Sequence, residues 1–469
     1  MKIEETTQSN VSILPIVKVI TTTKNEKKMK INTLFFLLFA AIFLSVSASA
    51  QKAVTPQNFN PITNFSALRV NTKNVKSLDS LLQAFVDNKK MNCVAAFVAR
   101  GGNVVYKKAF GMKDIENQIP ATVDDYYLLF SQTKAITTVA FMTLVEKGLV
   151  AIDDPVSKYF PEIPDRVVTK VNEDGTYEMR PVKSPMTFVH LMSHSSGLNA
   201  GMVAEIRRIE RQKADSIRKA NGDTTTIRGP GQRSGGIGGW KYLKDAMYDL
   251  VKYPLGFDPG TEYSYHISTN MLAYMIERIS GKTLREYVKE TVLIPLGMNE
   301  TDWYYEPDAL PKFVKAYNSV DGKLEPASNF FRESVVSKVQ TYCEGASGLN
   351  GPIEDYAKFC QMLLNKGEFN GHRILKAETV EMMTTINRLP DVNSGGKGFQ
   401  FGLGFELYNQ QKKPLPEMSN TAYAWGGMYG TQYIIDPANN LIALYYINMS
   451  QKEWVYPDFL PKVYGLFSN

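Results

Sequence analysis

The sequence predicts an α/β (α+β) three-layer sandwich: an antiparallel sheet built from both termini, flanked by helices, with an all-helical region inserted in the middle. Three observations point there. Two β-rich runs flank Gly101-Gly102 near the start. Two more flank the turn at 437–440 near the end. The long stretch between them carries helical rather than alternating patterns. With 469 residues, 44% hydrophobic and 21% charged, the chain can bury a large core in one big domain or two.

The elements follow in chain order. Met29-Lys30, the apolar stretch LFFLLFAAIFL (34–44) and the Ala48-x-Ala50 site have the layout of a signal peptide, too short for a comfortable membrane span. Residues 1–28 then form an upstream extension, Met29 is the start, and cleavage after Ala50 sends the protein to the periplasm or outside the cell. No cysteine follows Ala50, so no stable membrane anchor is expected. Six lysines and three glutamates leave with residues 1–50, and the net charge of +6 becomes +3. So small and scattered a charge gives no argument for nucleic acid or an acidic membrane. Cys93, Cys343 and Cys360 lie far apart without a CxxC, which fits neither a disulfide scaffold nor a zinc site. No metal and no cofactor is expected.

Residues 51–75 are expected as an arm, and 76–469 as the main domain with its helical insertion at about 150–340. A helix is predicted from about Ser77 to Val86. Residues 92–111 read as two strands around Gly101-Gly102, a hairpin signal. A helix opens at Ser131, and AEIRRIERQKADSIRKA (204–220) reads as a polar helix. The glycine-rich 229–239 lacks GxxxxGK[ST], so a mobile loop near a cleft is a better reading than a phosphate cradle. The segment 204–239 is either a lid or a surface elaboration. A helix begins near Ser268 or Thr269, strands cover 430–436 and 441–449, and a last helix starts at Tyr456.

The chemistry starts at Ser131-Gln132-Thr133-Lys134. The chain has no GxSxG and no HExxH. It has four SxxK patterns, and context separates them: Ser49/Lys52 straddles the cleavage site, Ser216/Lys219 lies on the polar helix, and Ser394/Lys397 lies in a glycine loop. Ser131 alone opens a run that is apolar on nearly every side, so Lys134 must sit inside the protein. Positions i and i+3 share a helix face. Ser131 in the first turn sits where outward N–H groups and the helix dipole favour negative charge. A desolvated lysine loses pKa units and can act as a base towards that hydroxyl.

Two further pieces complete the set. Tyr265 follows the Pro259-Gly260 turn and precedes a helix. It could relay protons if Lys134 lies close, since a neighbouring cation lowers a phenol pKa. Trp425-Gly426-Gly427 enters a strand with little side-chain bulk, and a backbone N–H from this edge plus that of Ser131 would make an oxyanion hole. One such donor contributes roughly 3–4 kcal/mol of barrier.

In combination these residues resemble the serine β-lactamase and penicillin-binding-protein superfamily, in the branch of class C β-lactamases, D,D-peptidases and family VIII carboxylesterases. The resemblance runs from about residue 85 to 450. It is carried by SQTK (131–134), DDPVSKYFPEIP (153–164), TFVHLMSHSSGL (187–198), the stretch 254–265 ending in the tyrosine, IPLGMNETDW (294–303), the glycine-rich stretch 345–367 and FGLGFEL (401–407), in order. It implies a β-lactamase/transpeptidase-like fold with the site between sheet and helical region. It also implies Ser131 as acylated nucleophile, Lys134 as its activator, Tyr265 as proton relay, and the N–H groups of Ser131 and Met428 as oxyanion hole. His190 and His194 match the family run and are read as structural, on a helix from Thr187 to Gly197.

The departures bear on substrate. Where the family commonly has Tyr-Ser-Asn, this chain has Tyr265-His266-Ile267, so the amide that would hold a β-lactam side chain is missing. Tyr446-Ile447-Asn448 fits that pattern as text but lies inside the last strand. Where Lys-Thr-Gly or His-x-Gly is usual stands Trp425-Gly426-Gly427, as in the esterase branch, without a cation for a carboxylate. Trp425, Gly426, Gly427 and His266 are the expected substrate-binding residues. The sequence therefore points to a secreted serine hydrolase working through an acyl-enzyme, an esterase on small neutral esters. The alternatives are a β-lactamase, a D,D-peptidase or D-aminopeptidase, or a non-catalytic relative that binds in the cleft.

Overall fold

The turn between the first two long strands shows how local chemistry starts the sheet. Gly101 and Gly102 have φ of +58° and +76°, the positive pair that tight hairpin turns require. They join β2 (Cys93–Arg100) to β3 (Asn103–Asp114). In this computed structural model the described residues are 59–61, 65–222, 240–328, 330–336, 341–389, 398–451 and 456–467. The expected signal peptide with Met29 and Ala50, residues 51–58 and 62–64 of the arm and the glycine-rich loop 229–239 lie outside them.

Among the described residues, nine strands form the main sheet. Besides β2 and β3 these are β1 (Asn60–Pro61), β4 (Ile119–Pro120), β5 (Gln400–Phe401), β6 (Glu406–Leu407), β7 (Tyr423–Gly426), β8 (Gln432–Asp436) and β9 (Leu441–Tyr446). Their order is β1-β3-β2-β9-β8-β7-β6-β5, with β4 on β3. The two ends of the chain meet where β9 pairs antiparallel with β2, from Leu441 opposite Arg100 to Tyr446 opposite Ala95. One pairing departs from the antiparallel expectation: β1, part of the predicted arm, joins β3 in parallel. Phe59, just before it, packs its ring 5.0 Å from that of Phe97.

Alternation along β2 gives the sheet two buried faces. Ala95, Phe97 and Ala99 point to one core and Val94, Ala96 and Val98 to another. The second core is closed by α1 (Thr72–Asp87), through Leu78, Leu82 and Phe85, and by the C-terminal helix Tyr456–Gly465, through Phe459, Leu460 and Val463. The first is closed by α2 (Thr133–Glu146) and the helix Ile353–Leu364. Three layers result. Helix α1 starts five residues before the predicted Ser77, because the Asn71 side chain caps it by accepting from the Lys73 N–H.

The inserted region is not purely helical. Arg166–Val171 and Tyr177–Pro181 form a hairpin around Gly175 (φ +82°); the β-branched run Val167-Val168-Thr169 and Val171 outweigh the helical expectation. The helix expected from Thr187 to Gly197 is α3 (Phe188–Met192), ended by His194 at φ +59°. Helix α4 (Met202–Ala220) is polar as expected, and Ser216 and Lys219 on it are exposed. Helix α5 (Ser268–Ser280) packs on α2. No helix among the described residues is long and apolar enough to cross a membrane.

Candidate active site

Ser131 stands on a single 3-10 turn, Phe130–Gln132, that runs into α2. The residue before it is strained: Phe130 has φ of +45°, rare for a bulky side chain. Its ring packs 4.7 Å from Tyr429, which ties the turn after β7 to the serine. The same turn is fastened again where the Thr431 hydroxyl donates to the Leu129 carbonyl at 3.3 Å. Trp425 and Gly426 close β7 rather than opening a strand, and Gly427 leads the turn to β8. A Cβ on Gly427 would meet Thr431 Oγ1 at 2.2 Å and the Leu129 oxygen at 2.3 Å, so only glycine fits this approach. Met428 follows beside it, 47% exposed.

Helix α2 is buried all round from Thr133 to Leu144, and Lys134 is 1% exposed. Lys134 Nζ lies 3.0 Å from Ser131 Oγ, 2.7 Å from the Ala346 carbonyl and 3.3 Å from His266 Nδ1. Burial pulls its pKa down to about 7, with Glu344 pulling the other way.

Tyr265 brings the third group. Its hydroxyl is within hydrogen-bonding reach of Ser131 and accepts from Trp425 Nε1 at 2.9 Å. The expected lowering of its pKa is reversed. Burial of the oxygen raises it, and the bonds to Ser131 and Trp425 only partly offset this. The physical reason is placement: Lys134 Nζ sits over the Tyr265 ring face, 4.6 Å from its centre, not beside the oxygen. The residue as a whole is 36% exposed.

The histidines divide. His190 caps α3: its Nδ1 accepts from the Thr187 N–H at 3.0 Å. His194 is buried edge-on against Tyr265, ring centres 4.8 Å apart, and its pKa falls well below the usual value through burial and then the charges of Lys134 and His266. His266 is turned towards Lys134, and its Nε2 lies 3.6 Å from Glu344 Oε1. Asn270 on α5 donates to Glu344 Oε1 at 3.1 Å and accepts from the Ala346 N–H at 2.9 Å. Burial raises the Glu344 pKa, but its bonds to His266 and Asn270 outweigh this and leave the carboxyl below the usual range.

Sequence reasoning missed Glu344, Asn270 and the Ala346 carbonyl. The sign was a lone acid heading the glycine-rich Gly345–Gly348 stretch, where small residues let the chain pass against α2 and α5. A Cβ on Gly345 would meet the Ala273 methyl at 2.3 Å. Tyr446-Ile447-Asn448 lies in the core, with Tyr446 donating to Gln132 Oε1 at 2.5 Å and Asn448 to the Val314 carbonyl at 2.8 Å. The three cysteines are buried and unpaired.

The fold and this cluster define a β-lactamase-type serine enzyme. The Beta-lactamase family model matches residues 78–458, and the chain belongs to that family. Esterase EstB of Burkholderia gladioli is 26% identical over 395 residues, covering 79% of this chain and 89% of the esterase. Monacolin J acid methylbutanoyltransferase of Aspergillus terreus is 26% identical over 387 residues, covering 76% and 86%. The solved structure of EstCE1, a hydrolase with promiscuous acyltransferase activity, shares the fold with a TM-score of 0.66 at 22% identity, over 85% of this chain and 99% of that one. Among such esterases, acyltransferases and β-lactamase-fold hydrolases, this protein is an enzyme of the serine-hydrolase class.

Proposed function

We propose that the protein is an esterase that cleaves small neutral esters through an acyl-enzyme on Ser131. One observation carries this reading: a lysine only 1% exposed, its pKa brought to about 7, lies 3.0 Å from a serine hydroxyl. Lys134 as free amine takes the Ser131 proton while Oγ adds to the ester carbonyl. The N–H groups of Ser131 and Met428 receive the negative oxygen. Tyr265, bonded to Ser131, passes a proton to the leaving alcohol and later takes one from the water that releases the acid.

Trp425 supports the choice of a neutral substrate. Its ring packs 5.1 Å from Phe401 and 5.2 Å from Tyr265, and Tyr263 and Phe399 continue this aromatic wall. Lys412, which lies over Phe399, is held by Glu406 at 2.7 Å. Such a wall suits an acyl or alcohol group better than a carboxylate. The named relatives favour a second outcome of the same intermediate, transfer of the acyl group to an alcohol. We also place the enzyme outside the cytoplasm, on the strength of residues 29–50; N-terminal sequencing of protein from cells checks this.

The test is hydrolysis of a short-chain p-nitrophenyl ester by wild type and Ser131→Ala, with and without added alcohol. Loss of turnover in Ser131→Ala and a phosphonate adduct mapped to the Ser131 peptide are the expected results. Equal background rates overturn the proposal and leave a binding protein. Ester formation in the alcohol arm establishes transfer.

A further inference from the structure

His266 occupies a position that disfavours it. Its φ is +107°, a region costly for any residue with a Cβ, of order 1–3 kcal/mol. Its ring is nevertheless held between two groups of the site, Lys134 Nζ at 3.3 Å and Glu344 Oε1 at 3.6 Å. A histidine held in a strained backbone at this spot asks for a reason beyond packing.

The valence of the lysine supplies one. A neutral amine has two N–H bonds and one lone pair. Lys134 Nζ has three polar neighbours: the Ala346 carbonyl, His266 Nδ1 and Ser131 Oγ. A carbonyl oxygen only accepts. His266 Nδ1 also accepts, provided the ring proton is on Nε2. The carboxylate of Glu344 faces Nε2 and favours that tautomer. Asn270 fixes Glu344 and the Ala346 N–H together from α5. The two N–H bonds are then taken, and the lone pair is left for the Ser131 proton.

We infer that His266, held by Glu344, is a positioning residue that orients the Lys134 amine with its lone pair on Ser131. This rests on the proposed role of Lys134 as base. It also accounts for the departure at this position, where the resembling families commonly carry serine. In this inference His266, which the sequence offered as a substrate-binding residue, acts through the base instead, so its loss should act on the chemical step and leave KM alone.

The experiment compares His266→Gly with His266→Asn in the full exported chain. Glycine is at ease at φ +107°, so the His266→Gly protein should melt at or above the wild-type temperature. Its kcat on the p-nitrophenyl ester and its rate of phosphonate labelling should fall by about tenfold to a hundredfold, with KM unchanged. Asparagine tolerates positive φ, and its Oδ1 can stand where Nδ1 stood, so His266→Asn should recover most of the rate. The inference is overturned if His266→Gly labels at the wild-type rate, if His266→Asn is as slow as His266→Gly, or if the loss appears in KM. A wild-type protein that forms no Ser131 adduct overturns the esterase proposal itself, an outcome distinct from indifferent position-266 variants on a reactive wild type.

Discussion

The indole N–H of Trp425 donates to the Tyr265 hydroxyl at 2.9 Å, across 160 positions of chain. That bond favours the phenolate and works against the burial that raises the Tyr265 pKa. Trp425→Phe keeps an aromatic wall and deletes only the donor. A lost hydrogen bond of about 1 kcal/mol corresponds to roughly a fivefold fall in kcat/KM. Tyr265→Phe, which removes the proposed relay, should cost about a hundredfold or more. Steady-state rates on one ester check both, and a Tyr265→Phe enzyme at wild-type rate would remove the phenol from the mechanism.

In the proposed mechanism Lys134 sets the acidic limb of the pH profile. It works as a base only when neutral, so kcat/KM should rise with pH through about 7 and be lost below it. Glu344 raises the Lys134 pKa. Glu344→Gln should therefore move the limb to lower pH, and a limb moved upward would refute this electrostatic coupling.

The same lysine leaves a mark on stability. Its folded pKa of about 7 lies below the ordinary 10.5. Between those values the unfolded chain binds a proton that the folded one does not, so stability gains with rising pH. For this one site the slope is at most about 1.4 kcal/mol per pH unit. Lys134→Met should abolish turnover and lose this gain. Urea unfolding of both proteins at pH 7 and pH 9 measures it as the difference between them.

Gly427 holds the approach of the Met428 turn to Leu129, two residues before Ser131. In Gly427→Ala the new methyl would meet Thr431 Oγ1 and the Leu129 oxygen, pushing the proposed oxyanion donor away. The loss of one such donor is about a hundredfold to a thousandfold in kcat. The check is kcat together with melting temperature: a purely structural effect would show as a lowered melting temperature with normal kcat in the folded fraction.

With Trp425 where the resembling families carry a cation, and Ile267 in place of an amide, the proposed reading expects a β-lactam to lack its carboxylate partner and its side-chain partner. The missing bond to the carboxylate is a charged one, worth roughly 1.5–3 kcal/mol, or about tenfold to a hundredfold. A chromogenic cephalosporin should turn over at least that much more slowly than the ester. Parity between the two would overturn the substrate choice.

What the sequence by itself determined rests on short-range physics. The Gly101-Gly102 turn follows from two residues that accept positive φ. Ser131 and Lys134 share a face because three positions make most of a helical turn, and Lys134 is buried because its helix is apolar on nearly every side. Tertiary structure decided the rest. Ala346 lies 212 positions from Lys134 and His266 lies 132 away, so nothing local could say that they divide the amine's hydrogen bonds. The direction of the Tyr265 shift was also out of reach, since it depends on whether the cation meets the ring or the oxygen. Sequence spacing fixes neighbours along a helix or strand; desolvation and hydrogen-bond geometry are sums over whatever the fold brings near, and only packing supplies that list.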